Sequence, residues 1–534
     1  MRGRESWPSD WIGSLRTSVA RIVVVGGGTA GWLAACRIAA ASNPAAEQPV
    51  EVTLIESPDI PTIGVGEGTW PTIRKTLERV GISESDFLVS CDASFKQGSR
   101  FDGWATGEAG DSYYHPFVTP IGGDPRETIA AWRASDMPFA EAVCAQPKVC
   151  ALDLAPRQKA MPDFAGALNY AYHLDAAKLA ALLTRHATQR LGVRHIRDHV
   201  IAVTMAENGG IASVTTRANG EVQGNLFLDC TGHAALLIGG QYGVPFVDRS
   251  AQLFNDRALA VQVPVDAESA IASQTIGTAH KAGWIWDIGL PSRRGVGCVY
   301  SSAHLSDEEA SDELEAYLRR TAPGVAVADL SPRRLTFRSG HRELFWSHNC
   351  VAIGLSAGFL EPLEASAIVS IELSLDALID NFPASRDAMD LHASRFNRLF
   401  SYRWDMVIDF LKLHYAIGWR DEPYWREHRE PGATPDRLRD LLRIWRDQPP
   451  SSFDFPEVDE VFPAASYQYV LYGMGFPAPR GSALGRAPAE QAPAIRQVRE
   501  RARALASALP TNREYLNVLR SAVAPPIAEG ISVQ

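Results

Sequence analysis

Three glycines at Gly26, Gly28 and Gly31 follow the β-branched run Arg21-Ile-Val-Val-Val25, lead into the Ala-rich segment Trp32-Leu-Ala-Ala-Cys, and are answered by Glu56 after a second apolar run, Val50–Ile55. Each position suits a bound dinucleotide. Gly26 permits the tight turn, Gly28 lets a pyrophosphate approach the backbone, and Gly31 lets helix and strand pack closely. The helix N-terminus attracts the phosphates, and Glu56 takes the ribose hydroxyls. Gly27, Thr29 and Ala30 complete the loop. Two further segments, Asp229-Cys-Thr-Gly232 and Ala352-Ile-Gly-Leu-Ser-Ala-Gly358, end strands on small residues, as a long FAD molecule lying across several strand ends requires. No second glycine fingerprint follows a strand elsewhere, so an NAD(P)H-binding domain is not expected, and either reduced flavin arrives from outside or the nicotinamide visits transiently.

The elements that must carry these residues form a βαβ unit, which sets an α/β fold of the Rossmann type around a parallel sheet, resembling glutathione-reductase-like and flavin-monooxygenase-like FAD domains. Asp175 is placed to cap a helix that begins Ala176-Ala-Lys, and a strand over 199–205 precedes the turn Asn208-Gly-Gly. Residues from about 255 to 345 alternate apolar and polar side chains, predicting an inserted antiparallel β-sheet. The division expected is an extension over 1–19, an FAD-binding core over 20–384 and a helical, substrate-covering region over 385–534.

Composition narrows the class. A chain of 534 residues that is 46% hydrophobic can bury a large core, while 52 Lys and Arg against 62 Asp and Glu offer no basic surface for nucleic acid. Seven dispersed Cys without a CxxC argue against disulfides and a metal site, and for a cytoplasmic enzyme. No apolar run is long enough for a membrane span.

The motifs GGGTAGW at 26–32, IGVGEGTWPTIRK at 63–75, YYHPF at 113–117, YHLD at 172–175, DCTG at 229–232, WIWDIGLP at 284–291 and GFLEPLEAS at 358–366 make the chain resemble the flavin-dependent halogenases of the tryptophan-halogenase type, over roughly residues 20–420. The resemblance implies FADH2-dependent halogenation of an electron-rich arene. In that chemistry O2 and bromide or chloride give hypohalous acid through a flavin C4a-hydroperoxide, and a lysine guides the oxidant. It assigns the lysine to Lys75 and a proton-accepting or orienting carboxylate to Glu364. Flavin contacts fall to Val65, Gly66, Val200, Leu355 and Ile368, and halide contacts to Ser366 and Ala367. Trp284, Trp286 and Ile288 become a barrier between flavin and substrate. Free hypohalous acid attacks whatever it meets, so selectivity needs a donor that holds it beside one ring position and a carboxylate to accept a proton. Read alone, Lys75 lies on an amphipathic helix where lysine is usually solvated.

Two departures from the family pattern stand out: Gly289 where the barrier segment has Pro, and Ala367 where the halide segment has Gly. The latter adds a methyl group beside the anion. The stretch Ser466–Phe476 resembles members acting on substrates other than free tryptophan, which implies an indole, a phenol or a tryptophan-containing peptide. Implied partners are a small aromatic substrate and a separate NAD(P)H-dependent flavin reductase, and a homodimer is compatible with the pattern. The alternatives are an FAD-dependent aromatic hydroxylase and a catalytically silent flavin-binding protein.

Overall fold

The computed structural model describes residues 18–60, 66–122, 124–457, 460–479 and 492–522. The expected extension over 1–19 therefore falls almost wholly outside them; Ser18 bridges Ser385 and Val19 is buried.

Strand Arg21–Val25, helix Thr29–Ala41 and strand Glu51–Glu56 form the expected βαβ unit. Arg21–Val25 runs parallel between Leu226–Asp229 and Glu51–Glu56, and Cys350–Ala352 and Arg194–Arg197 extend the sheet outward on its two sides. Val23, Val24, Leu54 and Phe227 are buried, as side chains of a strand covered on both faces must be. Asp175 caps helix Ala176–Gln189 by accepting from the backbone N–H groups of Ala177 and Lys178 at 3.0 and 3.1 Å.

The second sheet has seven strands and is wider than the alternation over 255–345 suggested. Arg257–Pro264, Thr275–His280, Gly283–Gly289, Arg293–Tyr300 and Arg333–Thr336 come from that interval. Gly98–Asp102 and Ser112–Pro116 complete it, with Gly98–Asp102 pairing in parallel with Thr275–His280. This crossover matters for the site. It ties the segment just after Lys96 to the sheet that carries Trp284 and Trp286.

The helical region is not an independent unit. Tyr415, Trp445 and Tyr467 share one apolar core with Phe101, Trp284 and Val299 of the seven-stranded sheet, whereas Tyr515 and Leu516 pack into the core of the nucleotide-binding half. The boundary expected at 385 is therefore crossed by both cores.

Candidate functional site

Gly26 has φ of 114°, and a Cβ there would lie 2.1 Å from the carbonyl oxygen of Cys230; one on Gly31 would lie 1.9 Å from the Gly26 carbonyl oxygen. Both glycines are demanded by packing. Gly28 is different, since a Cβ there meets nothing within 4 Å. Gly28 is also the N-cap of Thr29–Ala41 and gives no side-chain cap, so the first-turn N–H groups beside Ala30 face this space unpaired by any side chain. An open cradle at an uncapped helix N-terminus fits the pyrophosphate of FAD.

Glu56 ends its strand beside Gly27, where a Cβ would strike its Cγ at 2.3 Å, and His195 Nε2 lies 2.8 Å from its carboxylate. Trp32 is fully buried and packs edge-on against that His195. Val200 begins the strand after Asp198, whose N–H donates to the Glu56 carbonyl. Leu355 lies in the turn Gly354–Ser356, where a Cβ on Gly354 would come within 2.7 Å of Ala30. Ile368 is buried in the first turn of helix Ser366–Asp380. Gly66, with Trp286, Arg293 and Gly295, lines a cleft of about 430 Å3. Val65 lies outside the described residues.

The two residues assigned to catalysis are not brought together. Lys75 stands on helix Thr72–Val80, whose buried side is Ile73, Thr76, Leu77 and Val80, and its side chain is exposed to solvent on the opposite face. Glu364 is buried, in the loop before helix Ser366–Asp380. The lysine that does share its surroundings is Lys96. It ends the short strand Ser94–Lys96, is fully buried, and has Nζ 3.4 Å from the carbonyl oxygen of Thr69 and 5.2 Å from the Phe117 ring. Burial lowers its pKa to about 8, with the Glu364 charge opposing. The motif IGVGEGTWPTIRK points to Lys75. The signal for Lys96 was a lysine inside the apolar strand segment Ala93-Ser-Phe-Lys, where only a paired or functional cation is accommodated.

Glu364 is held from several elements. Ser99 Oγ donates to Oε2 at 3.2 Å, while His115 Nδ1 and His414 Nε2 lie 2.6 and 3.3 Å from Oε1. Burial alone would raise this carboxyl, but the two imidazoles outweigh it and hold the group well below the usual carboxylate range. The backbone here is strained, with φ of 65° at Glu364 and 54° at Ala365, both left-handed without glycine. Trp70 Nε1 fastens the turn by donating to the Glu364 carbonyl at 2.8 Å. The turn delivers Ser366 and Ala367 as the first residues of a helix with no side-chain cap, leaving N–H donors beside Glu364.

Around Lys96 and Glu364 the side chains are aromatic. Trp70 lies 4.9 Å from Phe117 and 5.3 Å from Phe462, and Phe462 stacks on Phe410 at 3.9 Å. His115 is 6.1 Å from Tyr469 on helix Ala464–Gly473. Such faces suit a planar electron-rich ring.

Trp284, Trp286 and Ile288 alternate along strand Gly283–Gly289 and so share one face. Trp284 Nε1 donates to Glu361 Oε2 at 2.9 Å, on the loop that bears Glu364. Trp286 lines the Gly66 cleft, and a Cβ on Gly66 would lie 3.6 Å from Ile288. The row thus runs from the Glu361 loop to the cleft. Gly289, standing where the family pattern has Pro, is anchored through its carbonyl by Ser94 Oγ at 2.6 Å.

A glycine cradle that fits a dinucleotide, a tryptophan row lining a cleft, and a buried lysine near a buried carboxylate accord with a flavin-dependent halogenase, and the profile of the tryptophan halogenase family matches residues 21–490: the chain belongs to that family. It is similar to the 7-chloro-L-tryptophan 6-halogenase KtzR of Kutzneria sp. (strain 744), with 35% identity over 93% of this chain and 99% of that protein. The crystal structure of a tryptophan halogenase from Shewanella frigidimarina NCIMB 400 superposes with a TM-score of 0.91 at 46% identity, covering 95% of this chain and 99% of that one. Tar14, a tryptophan C-6 flavin-dependent halogenase (chlorinase) from taromycin biosynthesis, superposes with a TM-score of 0.87 at 34% identity, covering 94% and 100%. No helix among the described residues is long and apolar enough to cross a membrane.

Proposed function

We propose that this enzyme halogenates an electron-rich arene, an indole, a phenol or a tryptophan-containing peptide, with Lys96 in the role that sequence motifs assigned to Lys75. The observation that carries the reading is the buried Lys96 beside Glu364 within an aromatic wall. Reduced FAD, delivered by a separate reductase, supplies with O2 the two-electron oxidation of halide to hypohalous acid. Gly28 and the first turn of Thr29–Ala41 would hold its pyrophosphate, Glu56 its ribose, and Gly66, Leu355 and Ile368 its ring end.

The N–H groups of Ser366 and Ala367 bind the halide. The Lys96 ammonium donates a hydrogen bond to the oxygen of hypohalous acid and holds its halogen toward one ring carbon; as the carbon–halogen bond forms, the oxygen–halogen bond breaks and the oxygen takes the Lys96 proton to leave as water. Glu364 takes the proton that leaves that carbon. Trp284, Trp286 and Ile288 keep the arene from the flavin, which favours halogenation over hydroxylation. The Ala367 methyl group narrows the approach to the halide and favours an ion that sheds water readily, so bromide serves at least as well as chloride.

The test is mass spectrometry of indole and phenol panels and a tryptophan-containing peptide, incubated with enzyme, FAD, a flavin reductase, NADH and either halide. Halogenated products are expected, with bromide rates at or above chloride rates. Hydroxylated products alone would establish the monooxygenase alternative, and a clear chloride preference would refute the halide assignment.

A further inference from the structure

Arg293 opens strand Arg293–Tyr300 and lines the cleft of about 430 Å3 together with Gly66, Trp286 and Gly295. Its side chain is only 10% exposed, and its two terminal nitrogens are used differently. Nη2 donates to Asp175 Oδ2 at 2.8 Å. Asp175 fixes the direction of that bond, because its Oδ1 is held by the N–H groups of Ala177 and Lys178 at the head of helix Ala176–Gln189 and only Oδ2 is left for the arginine. Nη1 is shut off from solvent and has no hydrogen-bond partner among the described residues. A guanidinium only donates and stays charged, so a buried Nη1 without an acceptor is a desolvated donor that a ligand can satisfy.

Strand pairing puts this donor on the cleft side of the sheet. Arg293, Gly295 and Gly297 alternate and share one face, and Gly295 and Gly297 stand opposite Ile288 and Trp286. A Cβ on Gly295 would lie 3.3 Å from Gly66 Cα and 3.5 Å from Arg293 Nη1, so the unpartnered nitrogen sits beside the two glycines that line the cleft. Asp175 offsets part of the guanidinium charge. Arg333, exposed on the edge strand Arg333–Thr336, adds a second cation, and the described residues that line the cleft include no carboxylate.

We propose that Arg293 reads the reduction state of the flavin: Nη1 donates to the N1 and C2-carbonyl edge of the ring, so the cleft takes reduced FAD in preference to oxidised FAD. The proposal rests on the reading of the Gly66 cleft as the seat of the flavin ring. Reduced flavin at neutral pH is an anion whose charge is spread over N1 and the C2 oxygen, whereas the oxidised ring is neutral, and protein charge placed there tunes the cofactor. A charge-assisted hydrogen bond from an arginine therefore gains more from the reduced form. The cradle at Gly28 meets the same phosphates in both states and cannot tell them apart. Affinity and selectivity are thus divided between two places: Gly28 and the helix N-terminus hold the dinucleotide, and Arg293 favours the form that a reductase delivers and lets the spent form go.

The test titrates the full-length enzyme with oxidised FAD and, without oxygen, with reduced FAD, and measures the midpoint potential of the bound flavin against a redox dye. The unmodified enzyme is expected to bind reduced FAD at least about tenfold more tightly than oxidised FAD, which places the bound midpoint about 30 mV or more above that of free FAD. In Arg293→Gln the Kd of reduced FAD should rise about tenfold and that of oxidised FAD less than about threefold, so the midpoint falls back toward the free value. Asp175 keeps both helix N–H donors in this variant, and its cap is expected to hold. Should Arg293→Gln fail to fold, Arg293→Lys keeps a cation beside Asp175 without the second nitrogen and is expected to show reduced discrimination; discrimination equal to that of the unmodified enzyme would overturn the proposal. Equal affinity of the unmodified enzyme for the two forms overturns it without any variant, and so does an equal loss of both forms in Arg293→Gln, which would make the arginine a phosphate or packing contact. Absence of halogenated product from an enzyme that discriminates as stated would refute the halogenase reading and leave the role of Arg293 standing.

Discussion

The Ser99 hydroxyl donates to Glu364 Oε2 at 3.2 Å, three residues beyond Lys96 along the chain. The segment that presents the buried cation therefore also grips the buried carboxylate, although 265 positions separate Ser99 from Glu364. Their mutual geometry is set by strand pairing, since Gly98–Asp102 is locked between Thr275–His280 and Ser112–Pro116.

The pH dependence of turnover follows from Lys96. Its pKa is pulled to about 8 by burial, and the ammonium is the form that donates to hypohalous acid. Activity at saturating reduced flavin is expected to fall as pH rises through about 8. In Glu364→Gln the negative charge that favours the ammonium is gone, so the fall should move to lower pH, with kcat reduced about a hundredfold. A rate that climbs through this interval would instead favour a neutral amine that is itself halogenated.

Gly28→Ala separates ligand binding from folding. A Cβ there meets no protein atom within 4 Å, so the melting temperature should stay within about 2 °C. The methyl group enters the space assigned to pyrophosphate, and the FAD Kd should rise at least about tenfold, or about 1.4 kcal/mol. Unchanged affinity, measured by fluorescence titration, would remove the flavin from this cradle.

Trp284→Phe keeps an aromatic ring in the row but deletes the donor to Glu361 Oε2. Asn255 and Tyr415 still donate to that oxygen at 2.6 and 2.8 Å, so the expected cost is about 1 kcal/mol in denaturant unfolding. Trp286→Ala opens the row at the Gly66 cleft. The expected outcome is more hypohalous acid escaping to an external scavenger per NADH consumed, and an unchanged leak would deny the row its barrier role.

Much of this architecture was legible in the chain. The run Arg21–Val25, the glycines and Glu56 could hardly mean anything but a βαβ nucleotide unit, and Asp175 announced its helix by its capping position. The alternation of Trp284, Trp286 and Ile288 already put them on one face. Lys75 sits inside a recognisable motif, yet helical period turns it outward: two residues past Ile73 is a rotation of about 200°, away from the buried face. Lys96 lies in a three-residue strand too short to show a period. The parallel pairing of Gly98–Asp102 with Thr275–His280 and the merging of the helical region into both cores were also hidden. An apolar face declares that it will be buried without naming its partner.

Lys96→Ala and Lys75→Ala, compared in the same halogenation assay with flavin reoxidation followed in parallel, test the central claim most directly. Lys96→Ala is expected to lose at least about a hundredfold in halogenated product while flavin reoxidation continues, because the donor that holds the oxidant is removed. Lys75→Ala, a substitution on an exposed helix face, should stay within about twofold of the unmodified enzyme. Loss of halogenation in Lys75→Ala with activity retained in Lys96→Ala would contradict the account.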